Sequence, residues 1–399
     1  MSETLKSQPE PGTLYQYLVT TLRDRIEGGR LSPGERLPSI NNLCAEYGVS
    51  SITVRTALKE LVRSGHIESR ARSGFFVRAS SLPPTPALTG DQVIALLVPF
   101  RGSHPFFGGI IAGAEDQCRR LGYRLVVAAS NDNLEQEGEQ LRDLARLVAG
   151  VMVVPITLDG NYASYTLLLE RSVPFVFVDC YVRHLAVPVV TTDNEKGGYL
   201  ATQHLLSTGV QQVYLVSERP ATSLEERIRG YRRALKEAGV PFEPSLLREG
   251  PLAGPASGYD LTRKLLQSTQ IPKPFGIFAV HDGVAQGCLA ALKEAGLSVP
   301  QDVRLVGYDD TYSLQIDPPL TTIRQNTEGM GENAVRLLVK MIQQGTDAPV
   351  PRSTRLTPEL LVRSSSDPNS SFSLAEHFAR RAANELAPRS ARETAIVAK

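Results

Sequence analysis

The chain has 399 residues, long for one domain and suggestive of two or three. Its 42% hydrophobic content is ordinary for globular protein, and a net charge of +1 excludes a chain-wide basic character. The longest apolar runs, around 93–99 and 148–156, are far too short to cross a bilayer, so no membrane is expected.

Residues 1–11 are polar, carry no apolar core of a signal peptide and read as disordered. From Leu14 an amphipathic helix places Tyr15, Leu18, Leu22 and Ile26 on one side and stops at Gly28 and Gly29. Pro38 disfavours helix before Ser39, which opens a short helix to Glu46. Gly48 supplies a tight turn, and Ser50 or Ser51 caps a further helix to about Ser64. On that helix Val54, Ala57, Leu58 and Leu61 form one stripe; the opposite face is polar and basic except for Ile52. Two strand-like runs, 66–70 and 75–78, flank a small basic loop, Ala71-Arg72-Ser73-Gly74, which describes a wing. Arg63, Arg70, Arg72 and Arg78 make the charge locally basic. The arrangement is a helix-turn-helix, whose second helix enters the major groove by its N-terminal end. On the short segment alone, an ordinary helical hairpin is the competing reading.

Residues 79–91 are rich in Pro, Ser and Thr and read as a linker. From Gln92 apolar strands alternate with amphipathic helices in two successive sets. The fold class is therefore α/β: a small N-terminal winged helix-turn-helix (α+β) followed by two Rossmann-like lobes. The cleft between such lobes is a usual place for a small ligand. Residues 364–399 are a polar tail, in which 373–387 could form one amphipathic helix. Cys44, Cys118, Cys180 and Cys288 are far apart and lack metal spacing; they read as free thiols of a cytoplasmic protein, and neither metal nor cofactor is expected.

Two resemblances sharpen this. Residues 12–78, with LYQYLVTTLRDRIEGGRLSPGERLPS, YGVSSITVRTALKELVRSGHIESR and SGFFV, resemble the winged-helix DNA-binding domain of GntR-type regulators. The resemblance implies contacts to double-stranded operator DNA from Asn41, Ser50, Ser51, Thr53 and Arg55, and from Arg72 and Gly74 in the wing. Asn41 and Ser51 stand where that family often carries Arg. Residues 92–363, with TTDNEKGGYLATQHL, ERIRGYRRALKEAG and FAVHDGVAQGCLAALKEAGLSVPQDVRLVGYDD, resemble the sugar-binding-protein-like effector domain of LacI-type repressors. The joined architecture is similar to the arabinose-responsive repressors of Gram-positive bacteria.

A sugar needs fixed donors and acceptors for its hydroxyls and a flat apolar surface for its C–H face. Asp179 and Asp282 lie at the carboxyl ends of buried strands, where α/β proteins bind ligands. The resemblance makes Asp282 a ligand carboxylate and Arg227 the ligand-binding arginine, and sets Phe106 and Phe107 over the ligand. Helix capping for Asp282, a surface position for Arg227 and core packing for the two Phe are the competing roles. His104 stands where that family often has Asn. No Walker A, G-x-S-x-G or H-E-x-x-H sequence is found, so an enzyme is not expected. The chain reads as a ligand-responsive transcription regulator, a repressor acting as a homodimer, with a carbohydrate as effector. The alternative is a sugar-binding or sugar-modifying protein whose N-terminal domain mediates protein contacts.

Overall fold

The computed structural model describes residues 11–27, 30–32, 34–70, 73–78, 92–99, 105–156, 161–218, 221–251, 253–268, 271–367 and 369. The linker 79–91, the tail helix expected at 373–387, His104, Arg72 and residues 1–10 lie outside them. The chain divides into two compact units, 1–87 and 88–399.

In the first unit, α1 (Pro11–Glu27), α2 (Ile40–Tyr47) and α3 (Ser51–Arg63) are followed by the hairpin β1 (Ile67–Arg70) and β2 (Gly74–Val77). Ser39 Oγ accepts from the Asn42 amide at 3.2 Å and starts α2. Gly48 ends α2 at φ 64°, a left-handed conformation that costs glycine nothing. The expected stripe of Val54, Ala57, Leu58 and Leu61 is buried against Leu18, Leu22 and Leu43. The unit thus closes its own apolar core, and the outward faces of α3 are left to polar side chains, Ile52 near its start and Val62 near its end.

The second unit holds two lobes. The first lobe has a six-stranded sheet in the order β13-β7-β6-β5-β3-β4, all parallel. Its strands are β3 (Val93–Val98), β4 (Arg124–Ala129), β5 (Gly150–Val153), β6 (Phe175–Val178), β7 (Val189–Thr192) and β13 (Ser353–Leu356). Helices α4 (Pro105–Arg120), α5 (Leu134–Leu147), α6 (Tyr162–Glu170) and α11 (Thr327–Gln344) cover its two faces. The second lobe has the order β14-β12-β11-β10-β8-β9, with only the β12–β14 pair antiparallel. Its strands are β8 (Val213–Val216), β9 (Leu247–Arg248), β10 (Phe275–Ala279), β11 (Val303–Asp309), β12 (Thr321–Arg324) and β14 (Glu359–Leu361). Helices α7 (Asn194–Ser207), α8 (Thr222–Glu237), α9 (Gly254–Ser268) and α10 (Asp282–Glu294) pack on it. Central strands β5, β6, β8 and β10 are buried along their whole length, as doubly covered parallel strands must be.

The chain crosses between lobes after β7, after β12 and after β13, so α11 and β13 return to complete the first lobe. Glycine lets helices meet backbone to backbone. A Cβ on Gly230 of α8 would lie 2.0 Å from the Glu195 carbonyl of α7, and one on Gly113 of α4 would lie 2.0 Å from the Glu328 carbonyl of α11. Residues 364–367, the start of the expected polar tail, are built into the second lobe. Ser365 Oγ donates to the Leu305 carbonyl at 2.6 Å and accepts from the Thr321 amide at 2.8 Å, satisfying backbone that the sheet leaves unpaired.

Candidate functional site

The outward face of the helix-turn-helix is set by its caps. Ser50, not Ser51, caps α3: its Oγ accepts from the Thr53 amide at 3.2 Å and meets Thr53 Oγ1 at 2.8 Å. The hydroxyls of two expected contact residues are therefore engaged with each other at the start of the helix. Ser51, Arg55 and Lys59 are exposed along the next turns, and Arg55 and Lys59 form no ion pair among the described residues. Asn41 is exposed on α2. Gly74 opens β2 at φ 105°, with the Arg36 guanidinium 3.4 Å from where its Cβ would be. Arg36 thus brings a cation beside the wing, a placement that only the hairpin register reveals. Arg70 lies over the Phe76 ring at 4.3 Å and pairs with Glu68 at 2.7 Å, which ties down the one acid in that basic run.

Between the two lobes lies a cavity of about 170 Å³. The first lobe contributes Phe106 and Phe107 from the start of α4 and Asp132, Asp179 and Cys180 from strand ends; the second contributes Glu218, Arg227, His281 and Asp309. Of the sequence-expected ligand residues, Phe106, Phe107, Asp179 and Arg227 meet here. The two phenyl rings stand edge to face, centroids 5.3 Å apart.

Asp179 follows β6 at φ 67°, and its Oδ1 is enclosed without a hydrogen-bond partner among the described residues. An enclosed, unfilled acceptor is costly unless something donates to it. Burial lifts this carboxyl to about 7; Arg227 pulls it down and Asp309 and Glu226 push it up. Arg227 is no surface arginine. Its Nε donates to Asn194 Oδ1 at 2.9 Å and its Nη1 to the Val280 carbonyl at 2.6 Å. Its guanidinium lies 3.6 Å over the Tyr308 ring, with Nη2 3.5 Å from Asp309. That leaves Nη2 hydrogens for the cavity.

Asp282 is placed differently from the expectation. It is fully buried and absent from the cavity lining. Its Oδ2 accepts from the Thr311 and Tyr312 amides at 2.8 and 3.2 Å, and its Oδ1 from the Thr322 hydroxyl at 2.7 Å. Burial and then the Asp309 charge raise it to about 7 against the pull of these donors. It is a strut between α10 and the turn after β11. Nor does it cap α10: His281 does, its Nδ1 accepting from the Val284 amide at 3.3 Å. Burial opposes a charge on His281, but the Glu218 carboxylate, 3.2 Å from Nε2, outweighs it and raises its pKa. The cap requires a free Nδ1 lone pair, which assigns the ring proton to Nε2 in the neutral form.

Sequence reasoning missed Glu218 and His281. Glu218 ends VYLVSE as Asp179 ends PFVFVD, so the same strand-end signal was present. His281 is one residue from Asp282, and which of the two faces the cleft depends on the exact end of β10.

The lobes are also clasped beside the cavity. Arg355 of β13 makes a bidentate pair with Glu226 of α8 at 2.9 and 2.8 Å, and Glu226 is 1% exposed. Arg183 pairs with Glu225, and the Tyr181 amide donates to Thr222 Oγ1 at 3.0 Å.

Comparison with known proteins follows the same division. The model for bacterial regulatory proteins of the gntR family matches residues 14–77, and that for the periplasmic binding protein-like domain matches 202–366. The arabinose metabolism transcriptional repressor of Geobacillus stearothermophilus is 29% identical over 357 residues, covering 88% of this chain and 97% of that protein. The HTH-type transcriptional repressor PurR of Haemophilus influenzae is 34% identical over 269 residues, 65% of this chain and 77% of that one. A LacI family transcriptional regulator from Enterococcus faecium, solved with bound ribose, superposes with TM-score 0.59 at 30% identity, covering 70% of this chain and all of that one.

Proposed function

Because the chain belongs to the transcription repressors that join a gntR-family DNA reader to a LacI-type effector domain, we propose that it represses from a near-palindromic operator and that a small neutral carbohydrate changes its grip. The observation that carries the ligand class is the cleft. Its lining holds the carboxylates Asp132, Asp179, Glu218 and Asp309 against Arg227 and His281, which disfavours an anion. The unfilled Asp179 Oδ1 calls for a hydroxyl donor, and Phe106 and Phe107 offer an apolar wall to a sugar's C–H face. The Enterococcus relative holds ribose, a ligand of the same kind. In this reading Asp179 accepts from a sugar hydroxyl and Arg227 donates to a sugar oxygen. Asp282 acts at one remove, by holding the turn that carries Asp309.

On the reader, Arg55, Ser51 and Asn41 face the DNA, with Ser50 and Thr53 fixing the start of α3 and Gly74 and Arg72 belonging to the wing. Two readers act together in a homodimer that works in the cytoplasm, and no residue is assigned a catalytic role. What supports the dimer is the outer strand β4, where Val126 and Val127 are each 44% exposed at an unpaired sheet edge.

A gel-shift titration against the DNA upstream of the protein's own gene tests the reading, run with Arg55→Ala beside it. Arg55→Ala should weaken binding by roughly 1–3 kcal/mol if it contacts a base. A thermal-shift screen over pentoses and hexoses should find a stabilising sugar, worth about 2.7 kcal/mol at 100 times its dissociation constant. A chain that binds no DNA, or a folded Arg55→Ala with full affinity, would sink the reader half of the reading. Silence across neutral sugars would sink the other half.

A further inference from the structure

Among the described residues, Ile52 is the most exposed large apolar side chain, at 76%. It is the second residue of α3, the end of the helix that enters the groove. The core of its unit is closed without it by Val54, Ala57, Leu58 and Leu61. A singly exposed isoleucine is unremarkable on most surfaces. Here it stands in the middle of a polar recognition face where three of the four hydroxyls at this end of the helix are engaged within the chain. Ser50 and Thr53 bond each other, and Thr56 Oγ1 donates back to the Ile52 carbonyl at 2.9 Å. The groups left to face DNA over this turn are Ser51, Arg55 and the branched alkyl of Ile52. A β-branched side chain in a helix is held near one rotamer, so Ile52 is a rigid apolar knob. The major groove offers one apolar group on any base edge, the C5-methyl of thymine.

Resting on the reading that α3 reads operator DNA, we propose that Ile52 is a specificity-determining residue that packs on a thymine methyl and selects a T·A pair at one position of each half-site. Arg55, three residues further along the same face, then addresses a neighbouring pair or phosphate.

The test uses the full chain. Binding sites are first selected from a pool of random duplexes, and each thymine of the selected site is then replaced singly by deoxyuridine. That change removes the methyl and leaves base pairing intact. At one position per half-site the unaltered protein should lose about fourfold in affinity, the weight of one buried methyl. Ile52→Ala should bind the thymine and deoxyuridine duplexes equally there, while Ile52→Val keeps part of the difference. Both variants should fold, because the side chain is outside the core and alanine is the better helix former. Indifference to every thymine methyl, or a methyl effect that survives in Ile52→Ala, would overturn the assignment while leaving DNA binding intact. Failure to select any duplex would overturn it together with the reading it rests on.

Discussion

Asp179 carries both a free acceptor and a proton near neutrality, since burial lifts its carboxyl to about 7. A hydroxyl that donates to Oδ1 is held more strongly by the ionised form, the better acceptor, so ligand and proton work against each other. Effector affinity should therefore rise between about pH 6 and about pH 8 and then level off. Calorimetry in two buffers of different ionisation enthalpy should show proton release on binding, and Asp179→Asn should abolish the slope. Affinity that falls as pH rises would make Asp179 the donor. The folding contribution has the opposite sense to an ordinary salt-bridged carboxylate. A raised folded-state pKa favours the fold fully below the unfolded value, and this is lost as pH climbs through about 7; Asp282, also raised to about 7, acts in the same direction. The two aspartates part company on truncation. Asp282→Ala strands the Thr311 and Tyr312 amides and should cost about 3 kcal/mol of stability in a denaturant melt. Asp179→Ala should cost effector binding instead. Both had the same sequence signal, an acid after a buried strand. Only the rotation of the chain at the strand end separates a cleft-facing carboxylate from a strut, and local sequence does not encode that rotation.

Among secondary elements, the long helices were legible because apolar spacing and caps agree. Asn326 and Asp193 each accept from the amide three residues on, at 2.8 and 3.0 Å, where α11 and α7 begin. Strands β13 and β14 were not legible. They lie at the outer edges of their sheets, and neither has a wholly buried run to distinguish it from loop. Helix pairing was hidden for another reason: the glycines that permit it look like weak points in a helical pattern. Gly230→Ala would drive a methyl into the α7 backbone and should destabilise by about 1–3 kcal/mol, shifting α8 and with it Arg227. Gly108 in α4 has nothing within 4 Å of where its Cβ would be. Gly108→Ala should be neutral or stabilise by up to about 1 kcal/mol. Urea titration of the pair checks the contrast, and equal effects would mean that α7 and α8 can slide apart without cost.

At the level of the whole chain, the division into a reader and a two-lobed sensor was legible from the change of texture after the linker, because each part has its own period and its own core. The self-contained core of residues 1–87 means that this fragment should fold alone. It should bind operator weakly and ignore the effector, whereas the full chain, with two readers joined in the proposed dimer, should gain from effective concentrations that reach millimolar. A fragment as tight as the full protein would remove the need for a dimer. Val126→Asp places a charge on the open edge of β4 and should leave the sensor folded but monomeric by sedimentation. Operator affinity should then fall toward that of the fragment. A dimer that survives Val126→Asp lies on another face.

The return of α11 and β13 to the first lobe also sets a timetable for synthesis. The ribosome delivers β3 to β7 early, but Met330, Ala334, Val335 and Leu338, which seal one face of that sheet, come only after the whole second lobe. At roughly 5–20 residues per second the nascent first lobe waits on the order of ten seconds or more with that apolar face covered only in part, by α4. The reader closes its core before any of this begins. For that interval the chain holds a DNA-binding unit whose sensor does not yet exist, so a ribosome that stalls within the second lobe leaves a reader that no effector can address.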